Sequence, residues 1–233
     1  MKRMMILLLA VIMCLSGTAV AATLDDGAVL SGETFIASGD DESAIDQSGS
    51  AQATVTNAIV QKTAGDASSA DAASFRGVNS AVRVYDSAVL TISDSVIEAS
   101  ASNATGVFAY DNGTIHISDC TVTVTGGGAG GVQVAGGGTL IGENLTVTSA
   151  SKAAIRSDRG GGTILLDGDT YTSTGKNGCP AIYSTADVTV KNATCVSEQS
   201  RAVIIEGKNT VTVENCIFEG NDQIGRASCR ERV

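Results

Sequence analysis

Between Leu30 and Asp222 the chain repeats one short pattern of apolar and polar positions. Leu90-Thr-Ile-Ser-Asp-Ser-Val-Ile97, Ile115-His-Ile-Ser-Asp-Cys-Thr-Val122 and Leu140-Ile-Gly-Glu-Asn-Leu-Thr-Val147 align without gaps. So do Ile164-Leu-Leu-Asp-Gly-Asp-Thr-Tyr171, Val188-Thr-Val-Lys-Asn-Ala-Thr-Cys195 and Val211-Thr-Val-Glu-Asn-Cys-Ile-Phe218. The fifth position reads Asp94, Asp119, Asn144, Gly168, Asn192, Asn215, at spacings of 25, 25, 24, 24 and 23 residues. Ala53 to Val60 adds a copy with Asn57 in that column, and Leu30 to Phe35 a partial one with Gly32. A second apolar anchor precedes each segment from the second copy onward: Ile45, Val82, Val107, Val132, Ile155, Ile182 and Val203.

Alternation at period two marks strands buried on one face. A single coil has nothing to bury that face against, whereas stacked coils build one continuous core. The Asp/Asn/Gly column marks a bend, because these residues tolerate left-handed backbone. The expectation is an all-β, right-handed parallel β-helix of about eight coils of 23–25 residues. At the strand spacing such a rod is roughly 38 Å long. One interval departs from the rule. Between Val60 and Val82 the chain is longer than elsewhere, so Ala64 to Gly77 is expected to loop out as a mobile, tolerated insertion.

The pattern resembles the pectate-lyase-like β-helix superfamily, especially adhesin-like surface members that are not enzymes. The resemblance covers Leu30 to Asp222 and rests on column periodicity. It implies a fold more than an activity. In that superfamily saccharides lie along one sheet.

The two ends differ from the repeat. Lys2 and Arg3, the apolar run Met4 to Leu15 and Ala19-Val20-Ala21 read as a signal peptide over 1–21, implying a secreted or cell-surface protein. Ile224 to Val233 resembles a translated sequencing adapter, so 223–233 is read as a non-native tail and 22–222 as a β-helix cut short at its C-terminal end. With the tail set aside, the last coil, Val211 to Phe218, is expected to present an open edge prone to end-to-end self-association.

Charge narrows the partners. The chain carries 15 Lys and Arg against 25 Asp and Glu. Without Lys2, Arg3, Arg226, Arg230, Glu231 and Arg232, 10 basic and 24 acidic side chains remain, a net −14. Such a surface argues against nucleic acid and anionic lipid. No membrane span is expected in the mature fragment.

Candidate chemistry is sparse. His116, the single histidine, lies between inward Ile115 and Ile117 and should face outward. No nucleophile–base pair, metal-ligand cluster or phosphate cradle is legible, so no catalytic residue, metal or cofactor is assigned. Cys120, Cys179, Cys195 and Cys216 are expected to be reduced and mostly buried. Cys120 and Cys216 share a column but sit about 19 Å apart at the strand spacing, too far for a disulfide. Asn-x-Thr triplets at Asn103, Asn112, Asn144 and Asn192 follow from the repeat itself.

The second strand offers the candidate binding face. The residues after each anchor should point outward: Arg83, Phe108, Gln133, Arg156, Tyr183 and Ile204. Two positions on lie Tyr85, Tyr110, Asp158 and Glu206. Rings beside polar groups suit sugars, through apolar faces and hydrogen bonds to hydroxyls. The expected site is Phe108, Tyr110, Gln133, Arg156, Asp158, Tyr183 and Glu206, and the expected ligand an extended polysaccharide or surface glycan. Two other readings stand beside this adhesin-like module: a polysaccharide lyase or hydrolase, and a structural stalk or passenger of a larger surface protein.

Overall fold

The structure is a computed structural model that describes residues 18–175, 179–221, 225–227 and 231–232. Residues 1–17, which carry most of the expected signal peptide, and Cys229 lie outside the described residues.

The chain winds into a parallel β-solenoid of about eight turns. The columns read from the repeat are the observed registers. Leu90, Ile115, Leu140, Ile164, Val188 and Val211 stack partner to partner and are buried. So do Ile97, Val122, Val147, Tyr171, Cys195 and Phe218. These strands form one large sheet that bends at the Asp/Asn/Gly column. The seven anchors open the strands of a second sheet, which runs in order from Ile45–Gln47 to Val203–Ile205. The core lies between the two sheets and is mainly aliphatic, with Phe35, Tyr171 and Phe218 among its members and Ile45, Val82, Val107, Val132, Ile155 and Ile182 fully buried.

The bend is left-handed in every coil. Asn57, Asp94, Asp119, Asn144, Asn192 and Asn215 have φ between 49° and 54°, while Gly32 and Gly168 sit at 77° and 88°. For most side chains this conformation costs about 1–2 kcal/mol, and Asn and Asp offset part of it through local hydrogen bonds. Here the offset runs between coils. Asn144 Nδ2 donates to Asp119 Oδ1 at 3.1 Å, and Asn215 Nδ2 donates to Asn192 Oδ1 at 3.1 Å.

Polar groups inside the stack are mostly satisfied. Ser149, Ser173 and Ser197 form a buried column whose hydroxyls donate to the carbonyls of Lys152 and Cys179. Lys62 also occupies an inward position, between Ala37 and Ala99, and is fully buried. Its ammonium donates to the Gly39 carbonyl, and burial pushes its pKa down against the pull of Glu42, Asp40 and Asp41. Cys120, Cys195 and Cys216 are buried, and Cys195 and Cys216 stand two positions out of register.

The insertion is not a mobile loop. Residues Ala70–Arg76 form an α-helix, started by Ser69, whose side chain accepts from Ala72 N, and ended by left-handed Gly77. Asp71 in the first turn and Arg76 in the last suit the helix dipole. A capped seven-residue helix is marginal alone; it persists because it packs against the outer face of the second sheet.

At the far end, Gly225–Ala227 and Glu231–Arg232 pair antiparallel with the strands Cys216–Gly220 and Val211–Glu214. In the full chain these residues occupy part of the last coil's edge, which was expected to be open only with them set aside.

Candidate functional site

The outer column of the second sheet is Asp46, Arg83, Phe108, Gln133, Arg156, Tyr183 and Ile204, each partner to the next. The expected register holds, but the expected exposure does not. Phe108 and Gln133 are fully buried. The helix covers them. Gly77 lies on the Phe108 ring, and Gln133 Nε2 donates to the Ser74 carbonyl at 2.8 Å. Lys152 Nζ donates to Ser74 Oγ at 2.8 Å and Arg83 Nε to the Arg76 carbonyl at 2.8 Å. Neither Phe108 nor Gln133 presents a surface to a ligand.

Four of the expected residues do meet. Arg156 pairs with Asp158 at 2.7 Å, and its guanidinium stacks 4.3 Å from the Tyr183 ring centroid. Tyr183 hydrogen-bonds Glu206. Burial, then that bond, pushes the Tyr183 hydroxyl up to about 12. Tyr110 is half-buried and rests against Gly136. The aromatic faces are largely taken internally: Tyr85 by Arg83 at 4.0 Å, Tyr183 by Arg156, and Phe75 of the helix by Arg159 at 4.2 Å. Cation–π pairs of this kind contribute about 0.5–1 kcal/mol each at exposed sites. The cluster holds the helix and sheet together and leaves little open ring for a sugar.

The open face is on the large sheet. The second and fourth positions of each segment point outward and give two parallel columns. One runs Thr91, His116, Ile141, Leu165, Thr189; the other Ser93, Ser118, Glu143, Asp167, Lys191. Between them a shallow groove runs along the solenoid axis, lined by Ile141, Glu143, Leu165, Asp167, Thr189 and Lys191 and continued by Thr91, His116 and Ser118. It spans five strands, about 19 Å at the strand spacing. His116 is exposed, and Leu165 leaves 41% of its surface open.

Its charges are unevenly satisfied. Lys191 pairs with Glu214 at 3.7 Å, and Asp167 Oδ1 accepts from Asn192 Nδ2 at 2.7 Å. Glu143 is register partner to Asp167 on the adjacent strand, and among the described residues its carboxylate has no partner. Like charges directly opposite on neighbouring strands are destabilising.

The sequence carried a signal for this groove. Leu140-Ile141 and Ile164-Leu165-Leu166 break the alternation by placing aliphatic residues at outward positions, where other coils have Thr54, Thr91, Thr189 or Thr212. Among the described residues no group of three or more His, Cys, Asp or Glu is placed to hold a metal ion, and no helix is long and apolar enough to cross a membrane. No protein-family model, curated protein or solved structure matches this chain.

Proposed function

We propose that this chain is an adhesin-like, secreted or cell-surface β-helix module that binds an extended glycan along the groove of the large sheet. The observation that carries the reading is the exposure of Leu165, with Ile141 beside it, between hydrogen-bonding groups repeated coil by coil. An aliphatic strip receives the apolar face of a pyranose, and His116, Glu143, Asp167 and Lys191 meet its hydroxyls. A rigid sheet holds these groups without ordering cost. The coil rise is comparable to the length of one sugar unit, so successive units meet successive coils and a long chain gains from each. The resemblance to pectate-lyase-like β-helices supports a saccharide ligand by analogy.

A glycan array tests this. Replacing Ile141 and Leu165 together by Thr keeps strand propensity and removes the strip. Binding should then weaken by about tenfold or more. Tyr183→Ala should leave binding unchanged. The reverse pattern would move the site to the second sheet.

One observation favours a second reading, glycan hydrolysis. Glu143 and Asp167 lie in register on adjacent strands, and a retaining glycosidase needs two carboxyl groups about 5–5.5 Å apart. New reducing ends from an incubated polysaccharide, lost in Glu143→Gln, would establish hydrolysis.

A further inference from the structure

The groove is an aliphatic strip bordered by carboxylates whose charge is not balanced. Its one ammonium, Lys191, is engaged by Glu214. Asp167 accepts from a neutral amide and faces Lys191 across the next strand without an ion pair, and Glu143 has no partner among the described residues. Two carboxylates on adjacent strands raise the local negative potential and repel each other. A bound cation between or above them would reverse the sign of that interaction. The long-range field acts the same way, since the chain as a whole carries a net −10. Both terms work against a polyuronate or a sulfated glycan, and a neutral glycan would gain nothing from them.

We infer that the glycan taken by this groove is a polymer of amino sugars with free amines. This rests on the glycan reading above and names its ligand class. The apolar ring faces lie on Ile141 and Leu165, and protonated amines on successive units meet Glu143 and Asp167. The strip distinguishes this ligand from a flexible cationic peptide, which offers charge without a flat apolar face. Because the attraction is electrostatic, it accelerates association and weakens with salt.

The test measures binding of the full chain to a chito-oligosaccharide in deacetylated and fully N-acetylated form, with a neutral β-glucan, a polyuronate and an oligolysine as comparators. The deacetylated oligomer should bind more than about tenfold tighter than its N-acetylated counterpart. Glu143→Gln with Asp167→Asn should erase that preference yet keep the weaker binding of neutral sugars. Glu198→Gln with Glu219→Gln, an equal change in net charge elsewhere on the surface, should keep the preference. Equal binding of the two oligomers, or loss of preference in both double variants, would overturn the inference while leaving glycan binding standing. Oligolysine binding as tight as the deacetylated oligomer, and lost with it in the groove variant, would make the groove a peptide site and overturn it too. If none of the glycans binds, the functional reading falls and takes this inference with it.

Discussion

Gly77 lies on Phe108: a Cβ at residue 77 would stand 2.4 Å from Phe108 Cγ. Gly77 is also left-handed, with φ of 65°. Two demands therefore meet at one residue, close approach to a ring and a backbone conformation that side chains resist. Gly77→Ala should cost about 1–2 kcal/mol from the backbone alone, before the contact with the ring is counted. The loss should be local, because the helix packs on the outside of the coils. Trypsin cleavage after Arg76 in the native protein measures it, and the variant should be cut faster while the coils stay folded. An unchanged rate would show that the helix is not held by this contact.

The insertion shows what the sequence withheld. Columns were legible because every coil restates them; six residues at the bend share one sign of φ because six copies of one choice align. The helix has a single copy. Its signals were present in Ser69, Asp71, Arg76 and Gly77, yet the Ala- and Ser-rich run between Ala64 and Gly77 also has a loop composition. Alternation tells which way Phe108 points from its own sheet. It says nothing of what an insertion more than 30 residues earlier lays on top, so the expected exposure of Phe108 and Gln133 does not hold. Ile141 and Leu165 break the alternation in sequence, but the break alone does not say whether the outward face is covered or open.

The bend column makes a prediction about substitution. Asn144 adopts φ of 53° and donates to Asp119. Asn144→Gly should cost only the lost hydrogen bond, about 0.5–1.5 kcal/mol, since glycine takes this conformation freely. Asn144→Val should cost about 2 kcal/mol or more, combining left-handed strain with the lost hydrogen bond. Denaturant unfolding of the two variants separates them. Equal losses would mean that the column is not set by backbone conformation.

Tyr171 is fully buried in the stack, and among the described residues its hydroxyl has no hydrogen-bond partner. Burying an unsatisfied hydroxyl costs on the order of 1–3 kcal/mol. Tyr171→Phe removes that cost at nearly constant volume and should raise the unfolding midpoint. A lower midpoint would show that the hydroxyl is satisfied in solution.

Tyr183 links the fold to pH. Burial and Glu206 raise its hydroxyl from the ordinary value near 10 to about 12, so the native state holds this proton more tightly than the unfolded chain does. The stabilisation is complete below pH 10 and is lost as pH rises through the native value. Tyr183→Phe should therefore flatten the decline of stability with pH in that alkaline window. Glu206→Gln should bring the native titration back toward the ordinary value in an ultraviolet titration. A Tyr183 titration insensitive to Glu206→Gln would refute the pairing.

The proposed ligand face is the groove of the large sheet and not the helix-covered face of the second. Hydroxyl-radical footprinting of the protein with and without a bound amino-sugar oligomer reads both faces at once. Protection is expected at His116, Ile141 and Leu165, with Phe75, Tyr110 and Tyr183 unchanged. Protection confined to Phe75, Tyr110 and Tyr183 would contradict it.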